Sequence, residues 1–187
     1  MFPRAVVVGS RMATMRKAIL FAAIVGLSAR CSPGQYHQLR VESARIGPDH
    51  RVYLRWSGRP ERVQTLGEKQ SDTQDLRIAP DRSAAAWLVG RTDWSDASYP
   101  ETFELMVAWN GRPARGIFPG REISEWNFVD GGRRIALWDE TAHGGRFGKA
   151  TLYDSRTGML LAEWNPDSKK APPAWAAPFH AEWENDS

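Results

Sequence analysis

The chain has 187 residues, with 25 Lys and Arg against 22 Asp and Glu, and one cysteine, Cys31. Four of the basic residues fall within the first 29 positions, which hold no acid, so 21 bases face 22 acids from Arg30 onward. That near-neutral balance, mixed in sign along the chain, excludes the one-signed surface a nucleic-acid binder needs, and a lone cysteine excludes an internal disulfide.

In chain order, Arg4, Arg11, Arg16 and Lys17 precede the uncharged run AILFAAIVGLSA at 18–29. A basic stretch, a short apolar stretch and a small final residue form the pattern of a secretory signal peptide, predicted at 1–29. The run is well short of the roughly 20 residues that span a bilayer. The expected destination is therefore export to the periplasm or cell envelope, with no membrane span in the mature chain. Lipid attachment at Cys31 is the weaker alternative, because Arg30 occupies the position where acylation wants a small residue. What remains suits one core: an N-terminal segment at 30–45, a domain at 46–166 and a Pro/Trp-rich tail at 167–187.

Within the domain, Gly or Pro interrupts the chain about every eight to twelve residues, and long helical periodicity is missing. Strands are predicted at 51–56, where Val52, Leu54 and Trp56 alternate, and at 62–66 past Ser57-Gly58. Others follow at 84–89, at 103–109 before the tight-turn dipeptide Asn110-Gly111, at 126–128 and at 133–138. A hairpin closes the series, 150–154 and 159–164 about the turn at 155–158. Nine tryptophans, all after the leader, are expected chiefly to fill the core of an all-β domain, with stacking platforms as the alternative use.

A repeat overlies these strands. Ile46-Gly47-Pro48-Asp49 recurs as Ile78-Ala79-Pro80-Asp81, and a third copy is Phe128-Val129-Asp130-Gly131-Gly132. Each is followed by a strand, a polar loop, and a second strand ending at a glycine turn (Gly58, Gly111 or Gly158). The turn at each Pro-Asp or Asp-Gly is predicted to join a blade's first two strands, and the later glycine turn its third and fourth.

These residues resemble the PD40/TolB-like (WD40-like) blades of β-propellers. IAPDRSAAAWL at 78–88 and FVDGGRRIALW at 128–138 match that pattern, while IGPDHRVYLRW at 46–56 is degenerate. Over 76–176 the chain is similar to a group of uncharacterised exported bacterial proteins. The shared features are Tyr99-Pro100, a strand at 126–136, the Glu140–Gly145 loop, the Leu152–Trp164 hairpin and Pro172–Trp175. The resemblance implies an all-β fold, antiparallel sheets arranged as a partial, open propeller of two to three blades, and it implies no activity. An open propeller leaves sheet edges to be covered. The segments 36–45 and 165–187 are expected to pack across them, the tail through a short helix anchored by Trp175; failing that, the chain should form a homodimer through the edges.

Two loops carry the candidate binding residues. The loop at 91–101 holds Trp94, Asp96, Ser98 and Tyr99, an aromatic and carboxylate set that suits a sugar or a peptide. The loop at 139–148 holds Asp139, Glu140 and His143, the densest polar cluster. Both join the same pair of strands in successive blades, so they should emerge on one side. A single His beside two acids is below the usual zinc ligand set, and G-x-S-x-G, phosphate-loop, H-E-x-x-H and C-x-x-C motifs are missing. No catalytic residue, metal or cofactor is therefore assigned. The expected function is a binding or interaction module with a protein or glycan partner. The alternatives are a small envelope hydrolase using Glu140 and His143, or a structural protein that pairs by its sheet edge.

Overall fold

The computed structural model describes residues 38–92, 101–140 and 148–179, the side chains of Glu101 and Phe103 excepted. The fold is all-β. Eleven strands among the described residues make three antiparallel sheets, each a meander with its strands in sequence order. The first contains β1 (Val41–Ile46), β2 (Val52–Trp56) and β3 (Arg62–Gln64). The second contains β4 (Gln70–Ile78), β5 (Ala84–Arg91), β6 (Glu101–Trp109) and β7 (Arg115–Ile117). The third contains β8 (Glu122–Val129), β9 (Arg134–Glu140), β10 (Lys149–Asp154) and β11 (Leu160–Trp164). Among the described residues no helix is long and apolar enough to cross a membrane.

The repeated turns do what their chemistry dictates. In the first two, proline presets one dihedral and the following aspartate bonds the backbone two residues on. Asp49 Oδ1 accepts from Arg51 N at 3.3 Å, and Asp81 Oδ1 accepts from Ser83 N at 2.9 Å. The next residue is left-handed, His50 at φ 57° and Arg82 at φ 62°, where the resembling blades carry glycine. All three repeats join the first and second strands of a sheet, and Asn110-Gly111 and Thr157-Gly158 join third to fourth. Ser57-Gly58 instead joins second to third, because the first sheet has three strands.

Stacking of the sheets explains the composition of β5. Ala84, Ala86 and Leu88 face the third sheet, in a core with Leu105, Val107, Ile123, Trp126, Ile135 and Leu137. Ala85, Trp87 and Val89 face the first, in a core with Val41, Val52, Leu54 and Trp56. A strand covered on both sides has no polar face, hence its continuous apolar run. The third sheet's other face packs Ala136, Ala150, Leu152 and Trp164 against Ala176 and Phe179 of the tail.

Two elements differ from the sequence-based expectation, while the tryptophans chiefly fill the core as expected. Of the segment 36–45, expected to cover an edge, residues 41–45 lie in β1, which pairs with β2. The tail covers a sheet face through Ala176 and Phe179, while Trp175 is only partly buried and begins a helical turn in which Ala176 and Ala177 both bond Pro173 O. Four of the tryptophans, at 56, 87, 126 and 164, are buried, and those at 109, 138 and 175 are partly so.

Candidate functional site

A meander alternates its connections between two ends. In the second and third sheets the Pro80-Asp81 and Asp130-Gly131 turns share one end with the third-to-fourth-strand turns, so the connections β5–β6 and β9–β10 leave from the other. Those are the two long loops that carry the sequence-based candidates. The Pro48-Asp49 turn of the first sheet lies at that other end, where Thr73 Oγ1 donates to His50 O. Trp94, Asp96, Ser98, Tyr99 and His143 lie outside the described residues. Asp139 and Glu140 end β9 and are described.

β9 remains a regular strand to its last residue, with Asp139 opposite both Ile123 and Lys149 and Glu140 opposite Glu122. Successive side chains of a strand point to opposite faces. Asp139 therefore follows Ile135 and Leu137 toward the second sheet, and Glu140 lies on the face of Ala136 and Trp138. The two carboxylates, adjacent in sequence, do not form one cluster.

Asp139 has no exposed surface. Its Oδ2 accepts from Thr151 Oγ1 at 3.3 Å, and its Oδ1 has no hydrogen-bond partner. Burial pushes the carboxyl up to about 6, against the opposing influence of Lys149, the Thr151 bond and Arg121; Glu163 adds to the rise. Lys149 is itself paired with Glu163 at 2.7 Å. The result is a proton-exchanging group at the foot of the β9–β10 loop, sealed from solvent. A catalytic acid or base has to reach its substrate, and the position of Asp139 supplies no such reach.

The second sheet has a counterpart at the foot of its own long loop. Arg91 Nη1 meets Glu104 Oε2 at 3.0 Å, with their side chains 21% and 13% exposed. Gln70 Nε2 donates to the same oxygen at 2.9 Å. Gly116 on β7 makes room, since a Cβ there would collide with Glu104. Sequence reasoning passed over this trio. The available signal was an acid at an inward position of β6, sharing a face with Met106 and Ala108.

The β5–β6 loop thus springs from a partly buried Arg–Glu pair, and the β9–β10 loop from a buried carboxyl. Among the described residues, no group of three or more His, Cys, Asp or Glu could hold a metal ion. No family model matches the chain, and no curated protein matches it.

Proposed function

We propose that this chain is exported and serves as a binding or interaction module of the periplasm or cell envelope, with its meanders acting as propeller-like blades. The observation that carries the reading is the common origin of the two long loops, which connect the second and third strands of adjacent sheets. Loops on a rigid scaffold are where binding residues concentrate, and the β5 core, closed on both faces, makes the scaffold rigid. Trp94, Asp96, Ser98, Tyr99 and His143 belong to those loops and suit a glycan or a peptide. The basic-then-apolar leader and the TolB-like repeats support export.

Fractionation of a bacterium producing the C-terminally tagged chain tests the address. The expected product lies outside the cytoplasm and is shorter than the full chain, and deletion of 18–29 retains it inside. A full-length cytoplasmic product would sink the export reading. The loop role is tested by His143→Ala, which should leave the melting temperature unchanged; a drop would make His143 a brace for its loop. A second reading, association through a sheet edge, is favoured by β11, whose approach and first residues Met159, Leu160 and Leu161 are 63%, 47% and 47% exposed.

A further inference from the structure

At the end opposite the long loops, the β6–β7 and β10–β11 turns enclose a cleft of about 390 Å³ between the second and third sheets. That volume falls within the ordinary range for small-molecule sites. Its walls include Trp109, Arg112 and Arg115 from one sheet and Ser155 and Arg156 from the other, with no acid among the lining residues. The Arg112 and Arg156 guanidinium carbons lie 5.7 and 5.1 Å from the centre of the Trp109 ring. Arg115 donates to Thr157 O, which ties the two turns together.

The charge pattern here differs from that of five arginines elsewhere on the sheets. Arg45, Arg55, Arg77, Arg91 and Arg134 each meet a carboxylate at 2.8–3.1 Å. Arg112 and Arg156 make no such close ion pair among the described residues, although, against the effect of burial and after the bonds from Thr157, the Arg156 charge helps to lower the pKa of the adjacent Asp154. The neighbouring acid Asp154 turns its Oδ1 to Thr157, accepting from N at 2.7 Å and from Oγ1 at 2.8 Å. Gathering like charges around one indole is unfavourable by itself, and the ring face offsets part of that repulsion. An oxyanion would complete the arrangement, because the planar guanidinium fork matches carboxylate and phosphate geometry.

We propose that this cleft binds a small doubly charged oxyanion, a phosphate monoester or a dicarboxylate, between Arg112 and Arg156 beside Trp109. Two cations beside one indole suit a ligand of two negative charges, and the balanced charge of the remaining chain offers no track for a long polyanion. The site shares no residue with the long loops and stands independently of their role.

The test is titration of the full chain at low ionic strength with inorganic phosphate, succinate and acetate, following the Trp109 indole N–H resonance, assigned by Trp109→Phe. Phosphate and succinate should shift it saturably, and added salt should weaken both. A preference for phosphate identifies the phosphate ester, and a preference for succinate the dicarboxylate. Arg112→Gln and Arg156→Gln, at exposed positions, should each weaken binding about tenfold while leaving the melting temperature and other indole resonances in place. The proposal fails if neither dianion saturates the shift by about 10 mM, a range far weaker than functional small-ligand affinity. It fails equally if acetate binds as tightly as the dianions, or if the double variant responds like the parent chain.

Discussion

A carboxylate at position 139 is unfavourable inside the third sheet, and its cost depends on pH. The folded-state value near 6 lies above the ordinary 3.8, so the folded chain holds a proton that the unfolded chain has released. Stability should therefore fall as pH rises from about 4 to about 6, with the full penalty above that window and none below it. The gap corresponds to at most roughly 3 kcal/mol. Asp139→Asn keeps the shape and removes the charge, so thermal melts should show that slope flattened and the melting temperature at about pH 8 raised by a few degrees. An unchanged slope would mean that another group titrates there. Gly132 is constrained by space as well as by dihedral. At φ 111° it is left-handed, and a Cβ would stand 2.5 Å from Ala79 Cβ and 2.8 Å from Asp81 Oδ1. Gly132→Ala should cost more than the roughly 1 kcal/mol of an ordinary left-handed alanine, because the adjacent turn must also move. Urea unfolding reads this as a lowered midpoint at constant slope; a midpoint equal to that of the parent chain would refute the close packing of the two turns.

β5 offers the sharpest test of the layered core. Trp87 is 2% exposed between the first and second sheets, so Trp87→Ala should cost about 3–5 kcal/mol in chemical denaturation. A cost below about 1 kcal/mol would be a surface value and would contradict the stacking. This strand was legible in the sequence because it is regular: eight residues, no bulge through its apolar part, and a tight turn before it. The missed strands are irregular for identifiable reasons. β4 has register shifts at Gln70/Asp72 and Gln74/Arg77, with Asp75 at φ 49° between the latter pair, and those bulges erase the two-residue period. β1 shifts between Val41 and Ser43 in the same way. β7 is three residues long, with only Ile117 buried. Pairing to a neighbour holds these strands where local propensity is weak. The candidate site followed the same division. Polar density marked 139–145, but the continuation of β9 through Glu140, which separates the two acids, is a property of pairing with β8 and β10. Arg112 meets Trp109 within one turn, but Arg156 belongs to the other sheet, and sheet packing alone brings it to Trp109.

The three sheets are held in series by their repeated turns and innermost strands. Val41 N donates to Arg82 O at 2.8 Å, and Arg82 returns bonds to Val41 O and Glu42 O at 2.6 and 2.7 Å. Asp81 N bonds Gly131 O at 3.1 Å, and Arg77 reaches from β4 to Asn127 Oδ1 at 2.7 Å with its guanidinium over Trp126. Both ends of this stack are finished. The first sheet's outer face carries the pairs Arg45–Glu61 and Arg55–Glu42 at 2.8 and 3.0 Å, with Arg45 over Tyr53, and the third sheet's is covered by the tail. Neither face therefore asks for another blade or a second copy. Among the described edges, the most apolar route to self-association is β11, where Leu160 and Leu161 are exposed on a strand paired on one side only. A register shift between Leu152 and Tyr153 places Leu161 in a bulge, and a bulge twists an edge away from flat pairing. Light scattering across a concentration series should accordingly find a monomer at low concentration. Any dimer that grows with concentration should vanish when Leu160→Lys and Leu161→Lys are combined. A dimer insensitive to both dilution and those lysines would place the contact on a sheet face, and the solvated face of Arg45, Tyr53 and Arg55 would then be the interface.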